Sequence, residues 1–289
     1  MRALVTGAAG FVGQWLCDAL LDHGWEVFGA RLGDGLPPGR LTGDRGRAVR
    51  WLSCDVTRRD DLHAALDASA PDAVFHLAGV AFVPDAAADP GSTFEVNVVA
   101  AARLLADVDA RRTAGTMDPA VLVVGSGEQY GRHDAADQPL GETAEQRPLN
   151  PYAASKAAQE TVALAAYRAS GIRVIATRSF NHSGAGQSPR YLVPALVGRA
   201  LALRSQPNAA LTLGNTSTVR DFLHVRDVVA AYLALVENGA PGTVYNVASG
   251  RGVSVETVAD RVLALTGVHA RLERDPALVR PVEVPMLVG

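Results

Sequence analysis

The sequence is poor in several features, and each shortage excludes a class of protein. Only two cysteines, Cys17 and Cys54, occur in 289 residues, and neither lies in a CxxC or Cys/His spacing, so we expect buried free thiols rather than disulfides. The seven histidines form no HExxH-like pair, which predicts that the protein binds no metal. No apolar run is long enough to cross a bilayer, and the first residues run directly into a strand, without the parts of a signal peptide. We therefore expect a cytoplasmic protein that does not contact membranes.

The net charge is also small, and the chain has a single lysine. The net charge of −3 gives no electrostatic footprint for nucleic acid or an anionic membrane. Lys156 is the only lysine, although arginine is abundant, so its position is informative. Apolar residues make up 48% of the chain, which is enough for the core of one large α/β unit, or of a cofactor domain with a smaller partner.

Short apolar runs alternate with helical patterns over the first two-thirds of the chain. The patterns predict strands at residues 3–6, 26–30, 49–53, 73–76, 120–125 and 173–177. They predict helices at residues 11–22, 60–68, 93–110 and 151–169. Strands separated by helices of this length indicate right-handed βαβ crossovers, so we predict an α/β fold with a doubly wound parallel sheet of the Rossmann type.

After residue 177 this alternation ends. Gly, Pro, Ser and Asn cluster at 179–189, and a helix is predicted at 191–204, followed by a pair of strands at 211–213 and 219–222. Residues 225–237 and 243–247 indicate a return to the first domain, and the part from residue 250 onwards is predicted to hold a helix and little else. Residues 32–47 show neither a helix nor a strand period and are predicted to form a loop.

The first turn carries a glycine pattern typical of dinucleotide sites. TGAAGFVG places Gly7, Gly10 and Gly13 between the first strand and the first helix. Glycine lets the backbone approach the phosphates closely, and the helix N-terminus, at Phe11 and Val12, offers free N–H groups. Glycine-rich turns are common, but the strand before this one and the helix after it favour a pyrophosphate-binding turn.

The ends of the second and third strands bear on the choice of cofactor. NAD enzymes usually end the second strand with an acidic residue, whereas this chain has Arg31. A guanidinium matches a 2′-phosphate, so we predict NADP(H), with NAD(H) as the alternative if Arg31 is only a solvated loop residue. Asp55 and Val56 follow the third strand, where Asp55 either accepts from the adenine amino group or caps a helix or turn.

PYAASK places Tyr152 and Lys156 four residues apart on one face of a helix. A tyrosine with a pKa of about 10 is a poor proton shuttle at neutral pH, and a close ammonium lowers such a pKa by about 1–3 units. In GSGEQYG, Ser126 follows the fifth strand, where ligands bind in open α/β sheets, and Glu128 lies two residues on. Ser126 is predicted to bind the substrate oxygen, and Glu128 to act as an acid or base on a neighbouring carbon; a turn serine and a surface glutamate are the alternatives.

These residues together resemble the extended short-chain dehydrogenase/reductase family over essentially the whole chain. The matching motifs are TGAAGFVG, HLAG at 76–79, SGEQYG, YAASK and RDFLHVRDV. The resemblance implies a Rossmann domain at 1–178 plus about 225–248, a nucleotide-sugar domain at 179–224 plus 249–289, and a homodimer formed through the helices at 93–110 and 151–169. It places Leu77, Ala78 and Gly79 beside the cofactor, and Asn97 among the residues that support the site.

Further motifs, RSFNHSGAGQSPRYLVPAL, YNVASGRGVSV and RPVEVPMLVG, are similar to the branch of GDP-mannose 4,6-dehydratases and GDP-4-keto-6-deoxymannose reductases. The substrate would then be a nucleoside-diphosphate sugar, with a GDP-sugar favoured. The resemblance implies that its contacts come from Asn181, Arg220, Arg251, Arg280 and Glu283. Arginine forks suit phosphates and a carboxylate suits ribose hydroxyls, although without the resemblance a surface ion pair would be the better interpretation of each arginine.

The sequence departs from the dehydratases where they typically have Thr-Ser-Glu, since this chain has Ser126, Gly127 and Glu128. The glycine resembles the reductases, whereas Glu128 keeps dehydration open. We therefore predict NADP(H)-dependent reduction of a 4-keto-6-deoxy nucleotide sugar, with a 4,6-dehydratase as the alternative and a 4-epimerase as a third. A non-catalytic dinucleotide sensor is disfavoured, because binding alone needs no proton shuttle.

Overall fold

The computed structural model describes residues 1–33, 39–206, 209–278 and 283–289. In chain order its strands are β1 Arg2–Thr6, β2 Glu26–Arg31, β3 Arg50–Ser53, β4 Ala73–His76, β5 Ala120–Ser126, β6 Val174–Ser179, β7 Asn181–Ser183, β8 Ala210–Leu213, β9 Val219–His224, β10 Val244–Val247, β11 Gly252–Ser254, β12 Arg271–Arg274 and β13 Met286–Leu287. Its helices are α1 Phe11–Asp22, α2 Gly43–Ala48, α3 Arg59–Ser69, α4 Val83–Ala88, α5 Pro90–Phe94, α6 Ala100–Thr113, α7 Pro151–Ser170, α8 Leu192–Ala202, α9 Val225–Asn238 and α10 Val255–Thr266. One turn of π-helix, Glu95–Val99, joins α5 to α6.

Seven parallel strands form the main sheet, in the order β10-β6-β5-β4-β1-β2-β3. The chain moves outward from β1 to β3 and then crosses back to β4, so β1 and β4 flank the point at which the strand order reverses. Ligands of doubly wound sheets bind at this point, outside the carboxyl ends of the strands. The predicted doubly wound α/β fold is confirmed.

Both faces of the sheet are covered by helices, which explains why its strands are almost continuously apolar. Leu16 of α1 and Val228 of α9 belong to the cluster on one face, whereas Leu104 of α6 and Ala163 of α7 belong to the cluster on the other. A third cluster packs α8 and α10 against β8. Cys17 and Cys54 are buried free thiols, as expected.

The carboxyl-terminal part differs from its prediction in strand pairing. β8 and β9 do not pair with each other: β8 pairs with β12, and β9 pairs with β7, β11 and β13. The part after residue 250 therefore holds three short strands as well as the predicted helix. These strands find partners far away in sequence, so the local pattern that located β8 and β9 could not indicate their neighbours.

The predicted loop at 32–47 contains a helix, α2, at its end. The helix has little apolar periodicity and is fixed by side chains from outside it. Arg45 forms ion pairs with Asp18 and Asp22 on α1, at 2.5 and 2.7 Å, and the Trp51 indole donates to the Gly46 carbonyl at 2.8 Å. Tertiary contacts thus override a weak local preference.

No helix within the described residues combines the length and the apolarity needed to cross a membrane.

Candidate active site

The glycine turn after β1 has the shape that a pyrophosphate requires. Gly7 has a φ of +70°, and a Cβ at this position would lie 2.8 Å from the backbone N of Ala78. A Cβ on Gly13 would lie 2.2 Å from the Gly7 carbonyl oxygen. Only glycine fits at both positions, because these contacts let β1, α1 and the loop after β4 approach one another so closely.

Helix α1 begins at Phe11, directly behind the turn. Gly10 precedes it in an extended conformation and provides no side-chain cap for the first N–H groups, which belong to Phe11, Val12 and Gly13. The ring of Phe11 stacks on His182, with 6.3 Å between the centroids. The turn therefore offers backbone donors and a positive dipole end to an anion.

The loop after β4 lies against this turn. Leu77 N donates to the Thr6 carbonyl at 3.3 Å, and Ala78 N donates to the Thr6 hydroxyl at 3.2 Å. Gly79 lies beside α7, since a Cβ on it would be 3.4 Å from Lys156 Nζ. The structure thus brings the predicted residues Leu77, Ala78 and Gly79 together with the glycine turn and Lys156.

Asn97, in the π-helical turn, holds the same loop. Its Oδ1 accepts from Val80 N at 2.8 Å, and its Nδ2 donates to Ser155 Oγ on α7 at 2.8 Å. The side chain is fully buried. Asn97 therefore fixes the loop after β4 against α7.

Arg31 ends β2 and is buried, with 8% of its surface exposed. Its guanidinium lies over the Trp51 ring, 5.8 Å from the centroid. Its Nη2 is buried and has no hydrogen-bond partner among the described residues. The interpretation of Arg31 as a solvated loop residue is therefore wrong, because a buried guanidinium with an unused donor needs a partner.

Asp55, after β3, forms the turn predicted as one of its two roles. Its Oδ1 accepts from both the backbone N and the hydroxyl of Thr57, at 2.9 and 2.7 Å. These bonds hold the pKa of Asp55 below its usual value. Val56, next to it, is buried, and contact of either residue with adenine stays a prediction.

Tyr152 lies in the first turn of α7, which Asn150 caps by accepting from Ala153 N at 2.8 Å. Burial raises the pKa of Tyr152 to about 12; a hydrogen bond with the Ser126 hydroxyl opposes this, and the Glu128 charge adds to it. The three predicted residues Ser126, Glu128 and Tyr152 therefore lie together at the carboxyl end of β5.

Lys156 Nζ, one turn further along α7, donates to the Val124 carbonyl at 2.8 Å and to Gln159 Oε1 at 2.9 Å. The side chain is 5% exposed, and this burial lowers its pKa to about 8. The expectation that Lys156 lowers the pKa of Tyr152 is not met, since Lys156 does not contribute to that pKa. The reason is that burial of the tyrosine dominates, and its hydrogen-bond partner is Ser126.

Four of the five predicted substrate residues lie on or beside the sheet formed by β7, β9, β11 and β13. Asn181 lies on β7, and Arg220, on β9, donates to the Val219 carbonyl at 2.8 Å. Arg251 is exposed, whereas Glu283 is half-buried and accepts from Asn215 Nδ2 at 2.6 Å. Arg280 lies outside the described residues.

Four buried polar residues beside the site were missed by the sequence analysis: Gln129, Gln159, Glu160 and Arg178. Two signals were available. Glu160 follows Lys156 by four residues, on the same helix face, and Arg178 is the one charged residue of the buried strand β6.

Comparison with known proteins agrees with this geometry. The NAD dependent epimerase/dehydratase family matches residues 3–248. The chain belongs to this family. This confirms the resemblance inferred from the motifs, and the protein is accordingly a nicotinamide-dependent enzyme of the nucleotide-sugar-modifying kind.

Three relatives are informative. GDP-6-deoxy-D-mannose reductase from Pseudomonas aeruginosa is 38% identical over 215 residues, which are 74% of this chain and 69% of that enzyme. GDP-6-deoxy-D-talose 4-dehydrogenase from Aggregatibacter actinomycetemcomitans is 27% identical over 291 residues, 100% of this chain and 88% of that enzyme. The solved structure of RMD from Pseudomonas aeruginosa complexed with NADPH has a TM-score of 0.81 and 30% identity, and the match covers 100% of this chain and 89% of that one.

Proposed function

We propose that this enzyme reduces the C4 carbonyl of a 4-keto-6-deoxy nucleotide sugar, with a GDP-sugar as substrate and NADPH as reductant. The observation that carries the choice of reduction over dehydration is the packing of Gly127. A Cβ at this position would lie 3.0–3.1 Å from three atoms of the Phe180 ring, and Phe180 is itself buried. The site therefore has no room for the central serine of the dehydratases' Thr-Ser-Glu without a shift of the ring.

The protonation state of Tyr152 supports the same direction of reaction. A pKa raised to about 12 keeps the hydroxyl protonated at neutral pH, so the proton that a reduction consumes is present, although the hydroxyl is a weaker acid than that of a free tyrosine. In this mechanism Ser126 donates a hydrogen bond to the C4 oxygen, and Tyr152 passes its proton to that oxygen as the alkoxide develops. A reduced nicotinamide, when bound, supplies the hydride that C4 receives.

Several described residues fit the dinucleotide. The glycine turn and the first turn of α1 would hold its pyrophosphate, and Lys156 would bind the nicotinamide ribose hydroxyls. The Nη2 of Arg31, which has no hydrogen-bond partner among the described residues, suits a 2′-phosphate and favours NADPH over NADH. The NADPH complex of the Pseudomonas aeruginosa RMD supports this choice.

We further propose that residues 179–224 and 249–289 form the domain that binds the nucleotide sugar. Support comes from its own apolar cluster, which includes Leu196, Leu211 and Val262 and is separate from the two clusters of the main sheet. Within this domain Asn181 and Arg220 would face the diphosphate, and Arg251, Arg280 and Glu283 the nucleoside. The name of the 38%-identical Pseudomonas aeruginosa reductase favours GDP as the nucleotide.

One experiment separates the two leading reactions. The enzyme is incubated with GDP-mannose and catalytic NADP⁺, and separately with GDP-4-keto-6-deoxymannose and stoichiometric NADPH. Turnover in the second incubation alone is expected. Turnover in the first alone would refute the proposal and establish the dehydratase.

The second candidate, a 4,6-dehydratase, rests on Glu128. Its charge acts on Tyr152, so the carboxylate would lie near the reacting carbons of a sugar bound at Tyr152, where elimination of water needs an acid or base. Glu128→Gln distinguishes the two functions, because a reductase retains its turnover, whereas a dehydratase loses elimination.

We also propose a homodimer formed through α5–α6 and α7. Phe94, at the end of α5, is 37% exposed and is an apolar side chain that such an interface would cover. Light scattering is expected to give about twice the chain mass of 30.2 kDa, and the mass of a single chain would refute the dimer.

A further inference from the structure

A buried glutamine connects the end of β5 to α7, the helix that carries Tyr152 and Lys156. Gln129 is fully buried. Its Oε1 accepts from the backbone N of Ser126 at 2.7 Å, and its Nε2 donates to Glu160 Oε2 at 2.9 Å. One side chain therefore links the backbone of Ser126 directly to α7, which carries Tyr152.

The carboxylate of Glu160, to which Gln129 is linked, is itself held by several hydrogen bonds. Arg178 donates to both of its oxygens, from Nε at 2.9 Å and from Nη2 at 2.7 Å, and Gln146 donates to Oε1 at 2.6 Å. With the bond from Gln129, each carboxylate oxygen accepts two N–H groups. Side chains satisfied in this way inside a protein are held in one geometry.

A second tie lies on the other side of Ser126. Lys156 Nζ donates to the Val124 carbonyl at 2.8 Å, two residues before the serine. Tyr152, Lys156 and Glu160 follow one another at intervals of four residues, so they share one face of α7. The serine is thus held to this face from both sides.

We propose that Gln129 is a positioning residue that sets the place of the Ser126 hydroxyl relative to Tyr152 by linking Ser126 to Glu160. This inference rests on the proposed roles of Ser126 and Tyr152. A displacement of about 1 Å in a reacting group costs up to about 100-fold in rate, so the link has a direct consequence for turnover.

The competing explanation is that the network only stabilises the fold. Gln146 provides the control: it donates to the same carboxylate and accepts from Gln129 Nε2 at 3.2 Å, but it has no hydrogen bond to Ser126. Gln129→Met and Gln146→Met each remove one donor from Glu160, each abolish the Gln129–Gln146 hydrogen bond, and each keep the length of the side chain. Only the first also frees the Ser126 backbone.

The test measures the hydrogen bond at Tyr152 without any turnover. Tyrosine labelled with ¹³C at Cζ reports the hydrogen bonding of its hydroxyl, and Tyr152→Phe assigns the signal among the six tyrosines. Ser126→Ala is expected to move the Tyr152 signal. Gln129→Met should move it in the same direction, and Gln146→Met should leave it in place. If Gln129→Met does not fold, Gln129→Asn replaces it, because its amide is too short to bridge Ser126 and Glu160. The Tyr152 signal is then expected to move in the same direction.

Kinetics provide the second measurement. Gln129→Met is expected to lower kcat by about 10- to 100-fold with little change in KM for either substrate. An unchanged Tyr152 signal in the Gln129 variants, an equal movement in Gln146→Met, or no movement in Ser126→Ala would each overturn the positioning role. If the wild-type enzyme does not reduce the keto sugar, the proposed function fails, while the spectra still decide the role of Gln129.

Discussion

Burying the charged form of Lys156 lowers the free energy of unfolding, and this effect can be measured separately from catalysis. The side chain is 5% exposed, and its ammonium donates to a carbonyl and an amide oxygen rather than to a carboxylate. Burial lowers its pKa from 10.5 to about 8. At about 1.4 kcal/mol per pKa unit, the charged form is disfavoured in the native state by roughly 3 kcal/mol.

The sign of the pH dependence follows from proton binding. Below pH 8 both the native and the unfolded chain hold the proton, so the native state bears the full cost. Between pH 8 and 10.5 the native state has released a proton that the unfolded chain still binds, and the free energy of unfolding rises with pH. Lys156→Met removes this dependence, so the variant's stability relative to the wild type should fall by about 3 kcal/mol between pH 7 and pH 10.5.

Urea unfolding without dinucleotide, followed by tryptophan fluorescence, measures this difference. All three tryptophans, Trp15, Trp25 and Trp51, belong to the unit built around the main sheet. Lys156, on α7, belongs to the same unit. No other lysine titrates in this range, and the tyrosines and cysteines are common to both proteins, so their contributions cancel. A stability difference that does not change with pH would show that Lys156 is not charged within an unfavourable site.

Three further variants test the site. Tyr152→Phe should lower kcat by about 100-fold or more while the NADPH affinity, measured by fluorescence titration, stays nearly unchanged; near-wild-type turnover would remove Tyr152 from the mechanism. Arg31→Leu should weaken NADPH binding by about 10- to 100-fold, the equivalent of one charge-assisted hydrogen bond, and leave NADH binding alone; equal losses for both cofactors would contradict a 2′-phosphate contact. Gly127→Ala should destabilise the enzyme by about 1–3 kcal/mol through overpacking against Phe180, whereas Gly198→Ala, on an open helix surface, should not; equal thermal unfolding of the two would refute the tight fit.

The main sheet was predictable because burial on both faces leaves a clear trace in the sequence. The strand predicted at 73–76 is found at Ala73–His76, and the one predicted at 120–125 extends by one residue, to Ser126. Helix α7 is likewise found one residue longer than predicted. The helix predicted at 93–110 was located but not resolved into α5, a π turn and α6, because a π turn has no distinct period in the sequence.

The proposed catalytic residues stand out in the sequence for a different reason, which also explains which residues were missed. Tyr152 and Lys156 are proposed to act on one ligand from one helix face, and this chemistry imposes a four-residue spacing that is visible in the local sequence. Gln129 and Glu160 meet only because β5 and α7 pack together, and neither residue type is unusual at its own position. The same holds for the fit of Gly127 under Phe180, where the sequence shows the glycine but not the ring that excludes a side chain. The residues proposed to perform the reaction are therefore recognisable by their spacing in the sequence. Gln129 and Gly127, proposed to position those residues and to restrict the reaction, depend instead on contacts between distant segments.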